Sequence, residues 1–247
     1  MGRDRDLFNL PHLQMASLDF RYLLNRGYPR KPSLELVGNR YHLTSDERHL
    51  LHRGVFSDED SRMRRARKIP FPQIRGKDLA IDGYNVLITV EAGLSGRPLI
   101  LGDDGFIRDI SGLSGNYRRS RKTDEALSLI LNLLKRIRPR STLFLLDAPI
   151  SRSGELADDI RKRMEQEGIP GRAQALKVPE KILEGFPGVV ATSDTAILDR
   201  CERAHDLAGT LLKQRGSLGT MLRWARRTSD PGKKGSSTFH NQNEINS

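Results

Sequence analysis

The stretch LAIDGYNVLI, residues 79–88, carries the clearest strand signal in the chain, and it presents an acidic residue from an apolar run. We predict a strand over residues 79–88, because its apolar residues suit a strand that is buried on both faces. Gly83 would let the backbone turn closely after Asp82. The Asn85 amide could orient the Asp82 carboxylate, or bind a phosphate or ribose oxygen. The stretch therefore predicts a strand that leads into a polar site.

Two later apolar runs have the same form. The run TLFLL, residues 142–146, precedes Asp147, and the run VVAT, residues 189–192, precedes Asp194. Parallel strands end at one edge of a sheet, which is where open α/β sheets place their ligands. Three carboxylates in one crevice indicate a divalent metal site. The alternative is that these aspartates cap helices, as Asp194 could cap a helix that begins near Thr195.

Strand and helix signals alternate beyond Leu79, as in a parallel sheet that is covered on both faces. We predict one helix capped by Thr123, a second from near Gly154 and a third from about Thr195 to Gln214. The expected fold class is α/β, a three-layer domain with a central, mostly parallel sheet.

A β-hairpin is predicted over residues 99–107, between the first two strands. The dipeptide Asp104-Gly105 is a strong turn signal between apolar runs. Asp103 and Asp104 are therefore interpreted as turn residues and not as metal ligands.

The predicted domains are a small, basic, mainly helical domain over residues 1–72, the α/β domain over 73–227, and a disordered, Gly/Ser/Asn-rich tail over 228–247. A capping box that begins at Thr44 indicates one helix of the first domain. The basic run RMRRARK, residues 62–68, is either a phosphate-contacting helix face or a solvated helix end.

Charge is unevenly distributed along the 247 residues, whose formal net charge is +11. Residues 1–78 carry a net +6, residues 79–200 a net +1 and residues 201–247 a net +4. Such an excess favours a polyanionic partner, although a solvated basic surface gives the same total. Cys201 is the only cysteine, which excludes an internal disulfide and a cysteine-built zinc site. We expect a cytoplasmic protein without a signal peptide or membrane span.

The motif DGYN at Asp82 to Asn85 resembles the opening of the PIN-like superfamily, particularly its NYN branch. The resemblance extends to Asp147 in FLLDAP and to the TSD motif that ends at Asp194, and it covers residues 79–200. It implies a PIN-like fold and an Mg²⁺- or Mn²⁺-dependent nuclease, mostly acting on RNA. The block DFRYLLNRGYP, residues 19–29, resembles an uncharacterised domain of archaeal proteins that is found with PIN-like domains.

The family resemblance implies metal ligands at Asp82, Asp147 and Asp194, with Asn85 as an orienting group. Family members often carry a further acidic pair before the TSD motif, and here only Asp158 and Asp159 on a predicted helix stand in that part of the chain. The fourth acid is therefore left open among the following residues. They are Asp124, Asp158, Asp159 and Asp199, of which Asp124 and Asp199 are the preferred candidates.

A run of cations with one aromatic residue precedes the helix that carries Asp124. Phosphate pairing and base stacking on Tyr117 would suit a flexible nucleic-acid strand, although a solvated loop has the same composition. Ser151 and Ser153 follow Asp147 and could hold a phosphate, while capping by Ser153 explains them equally. The predicted nucleic-acid-binding residues are Tyr117, Arg118, Arg119, Arg121, Lys122, Ser151 and Ser153.

The sequence thus predicts a metal-dependent endoribonuclease that uses Mg²⁺ or Mn²⁺. The first alternative is an RNA-binding or ribosome-associated adaptor whose PIN-like domain is inactive, which the missing acidic pair favours. A second is a regulatory protein such as one member of a toxin–antitoxin pair.

Overall fold

The computed structural model describes residues 11–110, 117–219 and 221–225, and the predicted tail over 228–247 lies outside them. The first four helices precede the sheet, and the 3₁₀ turn Phe71–Ile74 leads into the first strand. The described α-helices are α1 (Pro11–Asn25), α2 (Arg30–Arg40), α3 (Ser45–Gly54), α4 (Asp58–Arg67), α5 (Gly83–Leu94), α6 (Arg121–Ile137), α7 (Ser153–Gln166), α8 (Glu180–Glu184), α9 (Thr195–Arg200) and α10 (Leu207–Arg215).

The predicted α/β class is confirmed, because five parallel strands form a central sheet in the order β5-β4-β1-β6-β7. A second sheet has the order β3-β2-β8. The strands are β1 (Asp78–Asp82), β2 (Leu99–Leu101), β3 (Ile107–Asp109), β4 (Ser141–Asp147), β5 (Gly171–Leu176), β6 (Val189–Ala191), β7 (Ala204–His205) and β8 (Met221–Leu222).

Side chains of β1 alternate between two apolar layers on the two faces of the central sheet. Leu79 and Ile81 pack in a core with α5, α6, α7 and α10. Ala80 packs on the other face with α8 and α9, and with Phe106 from the hairpin. Both faces of the sheet are therefore covered, which gives the three layers that the alternating sequence pattern predicts. None of the described helices has the length and apolar character needed to span a membrane.

The first predicted strand is wrong beyond Asp82, because residues Gly83–Leu94 form helix α5. Nearly every side chain of α5 is buried between the sheet and its neighbouring helices, so its sequence lacks a polar face. A short, continuous apolar run does not distinguish a buried strand from a buried helix. Gly83 permits this packing, since a Cβ there would lie 2.5 Å from the backbone oxygen of Leu145.

Two helix predictions also require correction. The helix predicted from Thr195 to Gln214 is two helices, α9 and α10, with strand β7 between them. The N-cap of α6 is Ser120, and the Thr123 hydroxyl oxygen accepts a hydrogen bond from the Ser120 backbone N–H at 3.0 Å. The edge strand β5 had no strand signal, because only Ala173 of its six residues is buried.

The predicted hairpin is confirmed as β2 and β3, and it connects the N-terminal helices to the α/β region. Ile100 of β2 shares a core with α1, α2 and α3, and Leu222 and Trp224 complete it. The predicted boundary at residue 72 therefore separates two segments of sequence that have a common apolar core. The capping box is also confirmed, since Thr44 and Glu47 exchange their hydrogen bonds at the start of α3.

Asp103 and Asp104, at the hairpin turn, form buried ion pairs. Both carboxylate oxygens of Asp103 accept hydrogen bonds from Arg21 of α1, each at 2.9 Å. Asp104 is fully buried and accepts from Arg108 at 2.9 and 2.7 Å, with Arg64 of α4 at 3.6 Å. Asp104 also accepts a hydrogen bond from the Phe106 N–H, which is the contact expected of a turn residue. Its ion pairs add a second function, because they join the N-terminal helices to the α/β region.

Four of the five cations in the basic run at residues 62–68 contact other parts of the molecule, while Arg62 is exposed. Arg64 binds Asp199 at 2.6 and 2.8 Å, and Lys68 binds Asp206 at 3.1 Å. Arg65 and Arg67 donate to the backbone oxygens of Asp103 and Leu198. Much of the positive charge of the helical region is therefore used inside the molecule.

Asp104→Asn is expected to lower the free energy of unfolding by roughly 3–5 kcal/mol, because it removes one partner from a buried ion pair. The melting temperature should fall by at least about 6 °C in thermal denaturation followed by circular dichroism. Asp158→Asn is the control, since the exposed pair of Asp158 with Arg161 should contribute less than about 1 kcal/mol. Equal melting temperatures for the two variants would contradict the structural role of Asp104.

Candidate functional site

The carboxyl ends of β1, β4 and β6 bring the three predicted aspartates to one edge of the central sheet. Asp82 and Asp147 are the last residues of β1 and β4, which are hydrogen-bonded neighbours, and Asp194 follows β6 on the other side of β1. After β1 the chain adds β4 and β5 on one side of β1, and it then returns to add β6 and β7 on the other side. The carboxyl end of β1 is therefore a topological switch point. Such points are the usual ligand sites of open α/β sheets.

Asp82 lies at the centre of this edge, and only 8% of it is exposed. The Thr192 hydroxyl donates a hydrogen bond to one Asp82 oxygen at 2.7 Å. Burial, together with the nearby carboxylates of Asp194, Asp147 and Glu180, raises the pKa of Asp82 to about 7 against the lowering effect of the Thr192 hydrogen bond. The site therefore disfavours the ionised form of Asp82 unless a cation compensates it.

Asp194 caps α9, as the alternative interpretation expected, while remaining at the site. One of its carboxylate oxygens accepts the backbone N–H groups of Ala196 and Ile197 at 2.9 and 3.2 Å. The capping bonds engage that single oxygen, and Asp194 is exposed to solvent. Capping and ligand binding are therefore compatible functions for this residue.

Asn85 orients the loop before Asp194 and not the Asp82 carboxylate. Its side-chain oxygen accepts from the backbone N–H and the hydroxyl of Ser193, at 2.8 and 3.0 Å. Because a backbone N–H can only donate, these contacts assign the amide oxygen and direct the Asn85 nitrogen elsewhere. The motifs DGYN and TSD are thereby joined across the switch point.

Glu180 is a fourth acid at this site, and the sequence did not indicate it. It is the first residue of α8, which follows the edge strand β5. Burial raises the pKa of Asp147, and the Glu180 carboxylate raises it further. An acidic residue in a first helical turn ordinarily reflects the helix dipole. The only signal for Glu180 was its place after a strand end, and that strand was itself not recognised.

The four acids at this edge have no cationic partner among the described residues. Within these parts of the chain, none of them forms an ion pair with lysine, arginine or histidine. They are Asp82, Asp147, Glu180 and Asp194. The other fourth-acid candidates are all paired. Asp124 binds Arg119 and Arg163, Asp158 binds Arg161, Asp159 binds Arg119 and Arg163, and Asp199 binds Arg64. The structure therefore favours Glu180 over Asp124 and Asp199 as the fourth acid.

The acids do not form a preassembled metal centre. Across residues 11–110, 117–219 and 221–225, no three His, Cys, Asp or Glu side chains are arranged as a metal-binding group. Their chemistry fits a hard divalent ion all the same, since Mg²⁺ is usually held by one or two carboxylates together with waters and substrate phosphates. Burial raises the pKa of Asp82 first, and the neighbouring carboxylates also raise it, so a bound cation would favour its ionised form.

A cleft of about 550 Å³ has Tyr84, the second residue after Asp82, in its wall. We call it the tyrosine cleft, and its walls include Tyr84, Tyr117, Arg118, Arg119, Ser151 and Arg152. The two tyrosine rings meet edge to face, with 5.0 Å between their centroids. Burial and, to a smaller extent, the Asp147 carboxylate raise the pKa of Tyr84 to about 12, which places the cleft beside the acidic edge.

The tyrosine cleft contains four of the predicted nucleic-acid-binding residues. Tyr117 is more constrained than a free stacking residue, because its hydroxyl contacts Glu91 at 2.5 Å and Thr123 at 3.0 Å. Arg121 and Lys122 are exposed at the start of α6 and are not among the lining residues. Ser153 is buried and donates to the Ala148 oxygen, so it is not the helix cap that its sequence position suggested.

Two family models match the chain. One, described as Domain of unknown function (DUF5616), matches residues 71–210, and the other, described as Protein of unknown function (DUF434), matches residues 12–67. The chain belongs to the DUF5616 family. The DUF5616 match contains all four acids and the tyrosine cleft, whereas the DUF434 match contains the helices from α1 to α4.

A relative of this DUF5616 protein is the "Uncharacterized protein MJ0935" of Methanocaldococcus jannaschii. It is 36% identical over 186 residues, which cover 75% of this chain and 88% of the relative. No solved structure matches the chain significantly. The name of this relative assigns no chemistry to the acidic edge.

Asp82→Asn is expected to remove a pH-dependent loss of stability. The folded-state pKa of Asp82 is about 7, above the ordinary value of 3.8. The folded protein then binds the extra proton, so its stability falls as the pH rises from about 4 to about 7, by about 2–4 kcal/mol. At pH 8 in EDTA, the melting temperature of Asp82→Asn should exceed that of the wild type by at least about 4 °C.

The control for this measurement is Asp78→Asn at the opposite end of β1. Arg140 holds the pKa of Asp78 below its usual range, so this variant should follow the wild-type pH profile between pH 5 and 8. If Asp82→Asn also followed the wild-type profile, the Asp82 carboxyl would ionise normally and the site would be less acidic than the structure implies.

Proposed function

We propose that this protein is an Mg²⁺- or Mn²⁺-dependent endoribonuclease that hydrolyses RNA phosphodiester bonds at the carboxyl edge of its central sheet. The observation that carries the proposal is the set of four acids at the switch point, which have no cationic partners among the described residues. The sequence resemblance to the NYN branch of the PIN-like superfamily supports the same reaction. We place this activity in the cytoplasm, which fits a chain with one cysteine.

Asp82 and Asp147 are the proposed principal ligands, with Asp194 and Glu180 as direct or water-bridged ligands. A bound Mg²⁺ or Mn²⁺ would supply a water of lowered pKa and stabilise negative charge on the phosphoryl oxygens. Thr192 keeps Asp82 in one orientation, and Asn85 fixes the loop that carries Asp194. Neutral groups thus position Asp82 and Asp194, so no cation of the described residues competes with a metal ion for these two carboxylates.

The tyrosine cleft is the proposed binding site for an RNA strand that approaches the acids from the Asp147 side. Arg118 is exposed and could pair with a phosphate, and the ring of Tyr117 could contact a base. Arg119 is held by Asp124 and Asp159, so it contributes a fixed positive charge. An aromatic wall with cations at its rim matches the chemistry of single-stranded RNA.

The second candidate is an RNA-binding adaptor whose PIN-like domain is inactive. It is favoured by the absence of a preassembled metal-binding group from the described residues. In that case the acids would remain partly protonated, and RNA would bind in the tyrosine cleft without being cleaved. Metal binding separates the two candidates.

Mn²⁺ is expected to raise the melting temperature of the wild type, because it neutralises the acids of the folded state only. Asp82→Asn and Asp147→Asn should each abolish most of this shift and lower the cleavage rate of single-stranded RNA by at least about 100-fold, which corresponds to about 2.7 kcal/mol. The melting temperature is measured by differential scanning fluorimetry with and without about 1 mM Mn²⁺. The cleavage rate is measured with a 5′-labelled RNA resolved on a gel.

The matched control is again Asp78→Asn, which changes an aspartate of the same strand at the opposite edge of the sheet. It should retain both the Mn²⁺ shift and the cleavage rate. A wild type that binds RNA but shows neither a Mn²⁺ shift nor cleavage would exclude the nuclease and support the adaptor.

Arg118→Gln is expected to weaken RNA binding without changing the Mn²⁺ shift, because Arg118 lies in the tyrosine cleft and outside the acidic edge. The slope of log Kd against log salt concentration should decrease by about 0.7 for one lost phosphate contact. Fluorescence anisotropy with labelled RNA between low and moderate salt measures this slope. Arg172→Gln, at the amino end of β5, is the control and should leave it unchanged. Equal slopes for Arg118→Gln and the wild type would place the RNA elsewhere.

A further inference from the structure

A second, smaller cavity lies on the Asp194 side of the acidic edge, where helix α3 of the N-terminal region meets the switch point. Its volume is about 100 Å³, the space of roughly three water molecules. We call it the α3 cavity. It is bounded by His52 and Arg53 of α3 and by Asn85, Ser193 and Asp194 of the α/β region. The two halves of the chain therefore meet at the proposed catalytic edge.

Arg53 is held at this cavity with part of its guanidinium still available. Its Nε donates to the Asp109 backbone oxygen at 2.9 Å, and its Nη2 donates to the Asp109 carboxylate at 3.4 Å. Burial lowers the pKa of Arg53, while the carboxylates of Asp109 and Asp194 oppose that effect. Asp109 thus fixes one side of the guanidinium, and no hydrogen bond within the described residues engages Nη1.

Arg108 also lines the cavity, but it has a different function. Its Nε donates to the Ser193 backbone oxygen at 2.8 Å, and its two Nη atoms bind Asp104. All three nitrogens are engaged, so Arg108 holds the loop in place and Arg53 is the better ligand. Asn85 supplies a second donor, because Ser193 occupies its amide oxygen and leaves the amide nitrogen for another partner.

We propose that the α3 cavity is a phosphate-binding subsite, in which Arg53 from the N-terminal helical region and the Asn85 amide bind a phosphate of the substrate strand. The assignment of that phosphate to RNA, next to the bond that is cleaved, rests on the proposed function. A planar guanidinium with one fixed side suits phosphate oxygens. The strand would then cross the acids from the tyrosine cleft to the α3 cavity.

This subsite would make the N-terminal helical region contribute a substrate-binding residue, Arg53. The buried pairs at the hairpin turn fix α1 and α4 against the α/β region, and α3 shares the same core. An arginine supplied by a separately matched sequence segment would complete a site that the α/β region alone leaves with excess negative charge. The N-terminal region is therefore proposed to be part of the active site.

The test measures inorganic phosphate binding to the full chain by isothermal titration calorimetry, with and without Mg²⁺. Arg53→Gln should weaken phosphate binding at least about tenfold, which is the loss of one charge-assisted hydrogen bond. Arg53→Lys should weaken it less, and it keeps a cation beside Asp109 if Arg53→Gln fails to fold. Arg40→Gln, an exposed arginine of α2, is the control and should bind phosphate as the wild type does.

Arg118→Gln separates the two phosphate-binding regions, since it should keep the phosphate affinity of the α3 cavity. Phosphate affinity that is unchanged in both Arg53 variants, or a wild type that binds no phosphate, would overturn the subsite. If phosphate binding depends on Arg53 while the wild type cleaves no RNA, the subsite stands and the nuclease fails. If RNA is cleaved at wild-type rates by both Arg53 variants, the nuclease stands and the subsite fails.

Discussion

The buried ion pairs of the β2–β3 turn are the contacts on which the rest of the structure depends. Asp103 and Asp104 bind arginines from α1, α4 and β3, so one turn joins the helical region, the hairpin and the α/β region. Arg108 extends the same network to the Ser193 backbone oxygen at the carboxyl edge of the sheet. Removing Asp104 would leave the buried guanidinium of Arg108 without its carboxylate partner, so the network favours one relative placement of its elements.

This network changes the meaning of the basic charge. The segment over residues 1–78 has a net charge of +6, and several of its arginines bind acidic or carbonyl groups of the α/β region. Total charge therefore says little about where a polyanion would bind. The exposed cations at the tyrosine cleft and the half-engaged Arg53 are the more specific indications, because each lies near acids that have no cationic partner among the residues that the structure describes.

The sequence predicted Asp82, Asp147 and Asp194 because that inference needs only parallel strands, whose ends meet at one edge whatever the details of packing. It missed Glu180, since the exposed edge strand before it has no apolar run. It favoured Asp124 and Asp199 because the sequence does not show that arginines bind both carboxylates. Their arginine partners include Arg163 and Arg64, which lie 39 and 135 residues away in the chain, and no local pattern indicates such pairs. The α5 error has a similar cause, because a helix that is buried on all sides resembles a buried strand.

The sequence by itself determined the α/β class, the strand ends that present acids, the hairpin and the cap of α3, because each depends on local periodicity or on a turn. The tertiary structure decided which acids remain unpaired, how the N-terminal helices join the site and which side chains line the two cavities. Those properties depend on contacts between distant segments and on the exclusion of water. They arise only when the sheet, the hairpin and the helices pack together.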